Sequence, residues 1–128
     1  MADYQPGVCN IGRTQRRLRL AAGVGSFLAA GALVGARLFG LAPAATVWAA
    51  APFVFGGWLG VLQDRFRFCV AFAALARYDL SGSGGAGGRA SDREAVRADR
   101  RRAIALLGYA LGLTLVTVGT LTALLGAV

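Results

Sequence analysis

The carboxyl-terminal stretch of the chain, residues 103–128, contains no charged side chain over 26 positions. A hydrocarbon core of about 30 Å is crossed by roughly 20 helical residues, so the stretch is longer than one crossing requires. Backbone amides inside a bilayer must be satisfied within the segment, which a single isolated stretch achieves as an α-helix. The sequence therefore predicts a transmembrane helix at this end.

Two further apolar stretches precede it. Residues 20–39 contain a single arginine, and residues 44–62 contain no charge. Pro52 lies inside the second stretch and predicts a kink there. Trp48 and Trp58 lie towards its two ends, as expected of an aromatic belt at the membrane surfaces. Together the three stretches predict an all-α membrane protein with three transmembrane helices.

The remaining segments are polar, short or rich in glycine, so the chain (1–128) is interpreted as a single membrane domain. Its predicted parts are a cytoplasmic amino-terminal segment (1–19), the first span (20–39), the second span (44–62), an interfacial segment (63–80), a flexible linker (81–90) and a long helix that includes the third span (91–128). The linker is assigned from its glycine and serine content. The interfacial segment is assigned because its apolar run is too short to span.

The start of the third helix has its own sequence signal. Ser91 and Glu94 fit a capping box, in which the serine caps the helix and the glutamate reaches back. Asp99 and Arg102, one helical turn apart, are expected to form an ion pair. We therefore expect a helix that begins near Asp92, with its first three turns extended from the membrane into the cytoplasm.

The distribution of arginines predicts the orientation. All fourteen basic residues are arginines, and all but Arg37 lie in 1–19 or in 63–102. By the positive-inside rule, the amino terminus and the 63–102 loop are cytoplasmic and the carboxyl terminus is outside, in a multi-pass protein of the cell membrane. A cleaved signal is the alternative suggested by Arg16-Arg17, but the first span exceeds the usual apolar length of such a signal.

Topology also accounts for the net charge of +8 without a nucleic-acid partner. The arginines flank the apolar stretches and do not line one phosphate-binding face. The chain has no histidine, which excludes histidine-bound metals, histidine-ligated haem and histidine-dependent triads. We expect no catalytic residue, no metal and no cofactor, and the spans lack the acidic groups of an ion-coupled transporter. A pore built from several copies of the chain is a further alternative function.

Membrane helices approach closely where small residues share a face. Each predicted span carries two glycines four positions apart: Gly31 and Gly35, Gly56 and Gly60, and Gly108 and Gly112. These pairs predict packing within a three-helix bundle, or docking onto a protein partner or a second copy. Chance spacing is the alternative, because the chain has 19 glycines.

The two cysteines, Cys9 and Cys69, are both predicted to lie near the cytoplasmic membrane surface. Arg13, Arg65 and Arg67 are close in sequence, and neighbouring cations favour the thiolate. Candidate roles are a thiol–disulfide pair, a sulfur acceptor, or half of a four-thiolate metal site completed in a dimer. The structural alternative is an ordinary pair of cysteines, with the second packed among phenylalanines.

The segment Cys9-Asn10-Ile11-Gly12, followed by Arg16-Arg17-x-Arg19 and a Gly/Ala-rich span, resembles the small YgaP-type transmembrane domain. That family opens with Asn-Val/Ile-Gly and a basic cluster before a helical hairpin, and often has a cysteine after the second helix, where Cys69 stands here. Some members carry a rhodanese, a sulfurtransferase that holds persulfide on cysteine. The resemblance covers residues 9–75, without a rhodanese or the third helix, and implies a thiol or sulfur role.

Two functions are therefore expected. The first is a small non-enzymatic accessory or scaffold subunit of a membrane complex, given the small size, the uncharged spans and the small-residue helix faces. The second is a cytoplasm-facing thiol redox or sulfur-relay membrane protein that uses Cys9 and Cys69. The expected partners are the lipid bilayer and other transmembrane helices.

Overall fold

The computed structural model describes residues 4–80, 87–90 and 92–125, and these are predominantly helical. The elements are α1 (Arg13–Leu38), α2 (Thr46–Ala49), α3 (Ala51–Phe66), α4 (Val70–Ala74), β1 (Arg77–Asp79), β2 (Gly87–Arg89) and α5 (Arg93–Leu124). Within the described ranges, three helical segments are long and apolar enough to cross a membrane: Arg13–Leu38, Thr46–Arg65 and Arg93–Leu124. The prediction of a mostly helical chain with three helices able to span a membrane is confirmed, and these helices fit a multi-pass membrane protein.

The long helices alternate in direction, with α3 packed between α1 and α5. Val54, near the start of α3, packs with Ala30 and Val118, which lie in the later halves of α1 and α5. At the other end of α3, the ring of Phe66 lies 4.9 Å from the guanidinium carbon of Arg102, early in α5. The helices α1 and α5 therefore run parallel to each other and antiparallel to α3.

The second span is divided at its proline. The short helix α2 ends at Ala49, and α3 begins at Ala51 with Pro52 in its first turn. A proline in the first turn removes an N–H that has no intrahelical acceptor. Ala50 between them keeps right-handed helical angles, φ −74° and ψ −18°. The predicted kink inside a helix is thus a junction between two helices that follow each other closely.

The helix limits differ from the predicted spans. The helix α1 begins at Arg13, well before residue 20, directly after the extended Gly12. Its end is closed by Gly40 at φ +74°, whose N–H donates to the Arg37 carbonyl while the next N–H donates to the Ala36 carbonyl. This is a Schellman closure, in which glycine adopts the left-handed conformation without steric cost.

The cap of α5 is Asp92, whose Oδ1 accepts the Glu94 N–H at 3.1 Å. Ser91, the residue predicted to cap, lies outside the described residues. An aspartate at this position satisfies one of the unpaired N–H groups of the first turn and favours the positive end of the helix dipole. The predicted start of the helix is therefore correct to within a residue, with a different side chain as the cap.

A two-stranded ribbon departs from the all-α prediction. The strand β2 lies inside the predicted flexible linker (81–90) and pairs antiparallel with β1, with Arg77 opposite Arg89. A Cβ placed on Gly88 would lie 2.6 Å from the Tyr78 hydroxyl oxygen, so any larger residue would have to displace the end of that ring. Composition alone indicated flexibility, whereas these glycines allow pairing. Residues 81–86 of the linker lie outside the described residues.

Three long helices meet at Trp58 of α3. Its ring packs edge-on against Phe27 of α1, with centroids 5.3 Å apart, and its indole Nε1 donates to Thr117 Oγ1 of α5 at 3.0 Å. This places Trp58 inside the bundle and not in a lipid-facing belt. Trp48 is 60% exposed.

The tightest helix contact joins α1 to α3 through glycines. A Cβ placed on Gly60 would lie 2.5 Å from the Arg19 carbonyl oxygen and 2.6 Å from the Gly23 Cα, and one placed on Gly56 would lie 3.0 Å from Ser26 Oγ. At Gly57 the ring of Phe27 would be 2.5 Å away. Close backbone approach of this kind is how small residues hold membrane helices together. The predicted pair in α3 therefore faces α1.

The predicted pairs in the other two spans do not pack helices within this chain. A Cβ placed on Gly31, Gly35, Gly108 or Gly112 would have no described atom within 4 Å, apart from atoms of the local chain. The spacing correctly marks small-residue faces, but α3 approaches α1 and α5 on other sides. The prediction that these four glycines pack helices together within the chain is therefore wrong for the described residues.

Candidate functional sites

Asn10 joins the segment before α1 to the segment after α3. Its fully buried side chain accepts the Cys69 N–H at 2.6 Å and donates to the Cys69 carbonyl at 3.0 Å. Its own N–H donates to the Arg67 carbonyl at 3.1 Å. The Asn10 side-chain amide thus satisfies both backbone groups of Cys69, as the backbone of a paired β-strand would. We refer to this arrangement as the Asn10 clamp.

The clamp places Cys69 just before α4, with its thiol against a cation. The side chain is 1% exposed, and Sγ accepts a hydrogen bond from Arg19 Nη2 at 3.3 Å. The guanidinium of Arg19 also lies over the ring of Phe72 at 5.5 Å. The contacting cation is thus Arg19, not one of the three arginines predicted for this role.

Cys9 has different surroundings although it lies at the same end of the bundle. Its side chain is 6% exposed, and the thiol donates to the Ile11 carbonyl at 3.5 Å. Both cysteines are free thiols. Among the described residues, no group of three potential His, Cys, Asp or Glu ligands lies together. The geometry brings the two cysteine-bearing segments into contact through Asn10 and gives a cationic neighbour to one of them.

Asp99 ties the amino-terminal segment to α5. The carboxylate is fully buried and accepts hydrogen bonds from the Tyr4 hydroxyl and, at 2.7 Å, from the Gly7 N–H. The ring of Tyr4 stacks on Tyr78 with centroids 4.4 Å apart. Burial, and then the adjacent Asp99 carboxylate, raise the pKa of Tyr4 above its ordinary range. The phenol therefore stays protonated and donates.

This arrangement corrects two predictions about α5. Among the described residues, no ion pair joins Asp99 to Arg102; the arginine instead lies over the Phe66 ring. Ala95 and Asp99 are buried, so one face of the first turns is covered by protein and not by water, with the amino-terminal segment in contact with Asp99. The local i,i+3 spacing could not reveal a partner more than ninety positions away.

Three acidic side chains at this end, Asp64, Asp79 and Asp99, are engaged by hydrogen bonds within the chain, whereas most arginines project outward. Asp64 accepts from Arg16 Nε at 3.3 Å, and Asp79 accepts from Gln15 Nε2 at 3.1 Å. The exposed arginines at this end are Arg13, Arg17, Arg65, Arg67, Arg77, Arg89, Arg93, Arg97, Arg100 and Arg101. The end of the bundle that carries the Asn10 clamp therefore presents a strongly cationic surface.

The outward side of α5 is the second candidate site. At about 100° per residue, Gly108, Gly112 and Gly119 fall within about 40° of one another. All three are exposed, and no described atom comes within 4 Å of their Cβ positions beyond the local chain. Ala110 and Thr114, which are buried, lie on the opposite side. We call these three glycines the α5 glycine face.

Gly119 and Arg19 were missed by sequence reasoning. The signal for Gly119 was available, since it follows Gly112 by seven residues, which is two helical turns. Arg19 was recognised only as part of a basic cluster, and its contact with Cys69 depends on the pairing of α1 with the segment after α3. No protein-family model, curated protein or solved structure matches the chain.

Proposed function

We propose that this chain is a small non-enzymatic subunit of a membrane assembly, and that it binds a transmembrane helix of another protein on the α5 glycine face. The observation that carries the proposal is the contrast in α5 between a covered inner side and an uncovered side with three aligned glycines. Glycine costs about 1 kcal/mol relative to alanine in a helix interior. A helix face that contacts only lipid does not need glycines, whereas the close approach of another helix backbone requires them.

The surroundings of the α5 glycine face suit a partner helix. Leu115 and Val116 are more than half exposed and lie on opposite sides of Gly112, about 60° and about 40° from it around the helix. Large side chains beside a glycine groove provide the van der Waals contact that drives association where no hydrophobic force operates between helices. The proposed partner surface is therefore an apolar helix that packs against Gly112 between these two side chains.

Site-specific photocross-linking in native membranes tests this function. With a photoreactive residue at position 115, we expect cross-links to a membrane protein, and Gly112→Leu should reduce them at least about tenfold because the added side chain fills the groove. Thr120→Leu is the matched control, since Thr120 is exposed on the same helix about 100° away from the face. Cross-links to lipid alone, or equal losses in both variants, would contradict the proposal; cross-links to a second copy would identify a homo-oligomer instead.

We also propose that the cationic end, including the amino terminus and the 63–102 loop, faces the cytoplasm of a cell whose plasma membrane the chain crosses. Support comes from the exposed arginines gathered at that end, since basic loops resist translocation. A reporter enzyme active only in the cytoplasm, fused after position 128, should be inactive, and the same reporter before position 1 should be active. The reverse pattern would refute this orientation.

A second candidate, a thiol role for Cys69, is favoured by the Arg19 contact at 3.3 Å. The Asn10 clamp also connects the two regions that carry the YgaP-type resemblance, residues 9–12 and Cys69. If this contact supports a thiol role, Arg19→Gln should slow alkylation of Cys69 by a small membrane-permeant reagent, because the cationic hydrogen-bond donor at Sγ is lost. Arg17→Gln, on the same helix two positions earlier, is the control. Equal alkylation rates in both variants would remove this candidate.

A further inference from the structure

The outward side of α1 combines cationic and apolar residues in one continuous strip. Arg13, Arg17, Ala21, Val24 and Leu28 fall within about 80° around the helix, and all five are exposed. Val24 is 48% and Leu28 70% exposed. Gly23 and Ala30, the buried residues of α1, lie more than about 100° away from the centre of the strip. We call these five residues the α1 strip.

The length of the α1 strip matches one leaflet of a bilayer. From Arg17 to Leu28 the helix rises about 16 Å, and half of a hydrocarbon core is about 15 Å. The arginines stand at the end of the strip where the other cationic residues of the bundle gather. A molecule that lies along the strip would therefore meet charge at one end and apolar side chains along the rest.

Arg17 is available for such a contact. Within the described part of the chain it forms no hydrogen bond or ion pair. The nearby carboxylate of Asp64, in α3, already accepts a hydrogen bond from Arg16, the residue before Arg17 in α1. Arg13 lies one turn earlier on the same side, and the hydroxyl-bearing Thr14 beside it is exposed. Two guanidinium groups one turn apart can bind the oxygens of a single phosphate with paired hydrogen bonds.

We propose that the α1 strip binds an anionic phospholipid, with the headgroup phosphate between Arg13 and Arg17 and an acyl chain along Ala21, Val24 and Leu28. Charge complementarity selects the anionic headgroup, and the apolar part of the strip selects a lipid over a free phosphate. The site is on α1 and independent of the α5 glycine face, so it stands whether or not the proposed assembly exists.

The test uses the full chain purified in an uncharged detergent and native mass spectrometry of retained lipids. Phosphatidylglycerol and phosphatidylcholine with identical acyl chains are titrated, together with soluble glycerol phosphate as a headgroup without chains. We expect at least fivefold tighter retention of phosphatidylglycerol than of phosphatidylcholine. Each arginine removed, first in Arg17→Gln and then in Arg13→Gln/Arg17→Gln, should weaken the retention of phosphatidylglycerol about fivefold. Arg89→Gln/Arg93→Gln removes the same charge elsewhere and should change retention less than about twofold.

Leu28→Ala is the charge-neutral variant and should weaken retention of phosphatidylglycerol about twofold by shortening the apolar contact. Leu28→Ala serves as the test of the site if an arginine variant is less stable than the wild type, as judged by its unfolding midpoint in lipid-free detergent. Three results would overturn the proposal: equal losses in the strip and control arginine variants, no preference between the two lipids, or competition by glycerol phosphate at the concentration at which the lipid binds.

Discussion

The interface between α1 and α3 and the outer side of α5 contain the same residue type in opposite situations. At Gly60 a single added carbon would meet the backbone of α1 at 2.5 Å, whereas at Gly112 it would meet nothing within 4 Å in the described structure. Both positions belong to a GxxxG pair in the sequence. The spacing identifies a face that another backbone can approach, but the rest of the fold decides whether that backbone belongs to the same chain.

The two regions also differ in what surrounds the glycines. The α1–α3 interface is closed at one end by polar contacts, namely the Arg16–Asp64 pair and the Asn10 clamp. The α5 glycine face has apolar neighbours such as Leu111 and Leu115. Directional polar contacts fix the closed interface within the chain, whereas the α5 glycine face has no polar contact of this kind among the described residues.

The largest expected effect is that of Gly60→Ala in the closed interface. The added methyl group overlaps the Arg19 carbonyl and the Gly23 backbone, so α1 and α3 must separate. Overpacking of this kind costs about 3 kcal/mol of unfolding free energy when backbone must move. Reversible unfolding in mixed micelles, followed by circular dichroism, measures it.

The matched control is Gly112→Ala on the open face. Its methyl group has free space and replaces a poor helix former, so stability should be unchanged or rise by about 0.5 kcal/mol. A loss in Gly112→Ala as large as that in Gly60→Ala would show that the contrast between the two regions is wrong.

A smaller loss is expected for Asn10→Ala, which asks how much of the closed interface depends on the polar clamp. The Cys69 N–H and carbonyl would both lose their partner in a site without solvent access. Two unsatisfied buried groups should cost about 2 kcal/mol. Gln15→Ala removes a partly buried hydrogen bond to Asp79 and should cost less than about 1 kcal/mol. Equal losses would mean that the clamp adds nothing specific.

Tyr4→Phe should have a smaller effect than Asn10→Ala, because the stacking on Tyr78 is retained and only the hydrogen bond to Asp99 is lost. A hydrogen bond to a charged group contributes about 1.5 kcal/mol. The pKa of Tyr4 is raised in the folded chain, so its stabilisation is complete below about pH 10, the pKa of an unfolded tyrosine, and declines as pH rises above that value.

The variant should therefore lose stability at neutral pH and show a shallower decline above about pH 10 than the wild type. Unfolding midpoints measured from about pH 7 to about pH 11 provide the comparison. An unchanged alkaline decline in Tyr4→Phe would assign that decline to other groups and leave the first turns of α5 less firmly tied than the structure indicates.

Those parts of the fold that follow from lipid solvation could be predicted from the sequence. Uncharged stretches of sufficient length must become helices in a bilayer, and each of the three predicted from hydropathy coincides with such a helix, although the helix limits differ. The predicted helix start near Asp92 is also correct because capping depends on local chemistry. These features need no knowledge of which segments meet in space.

The remaining features depend on contacts between distant segments. Asp99 was paired with a neighbour one turn away, whereas its hydrogen bonds come from Tyr4 and Gly7. Gly88 was placed in a flexible linker because composition cannot show that the Tyr78 ring needs the space above it. Similarly, the contact of Arg19 with Cys69 exists only once α1 and α3 have paired. Local patterns carry no information about such partners.

The position of Trp58 has a spectroscopic consequence. Its indole touches α1 through Phe27 and α5 through Thr117, so its fluorescence senses all three long helices at once. In a Trp48→Phe background, which removes the exposed fluorophore, a change in emission wavelength would report the departure of α5 from the α1–α3 hairpin. The chain therefore contains an intrinsic optical probe at the junction of its three spans.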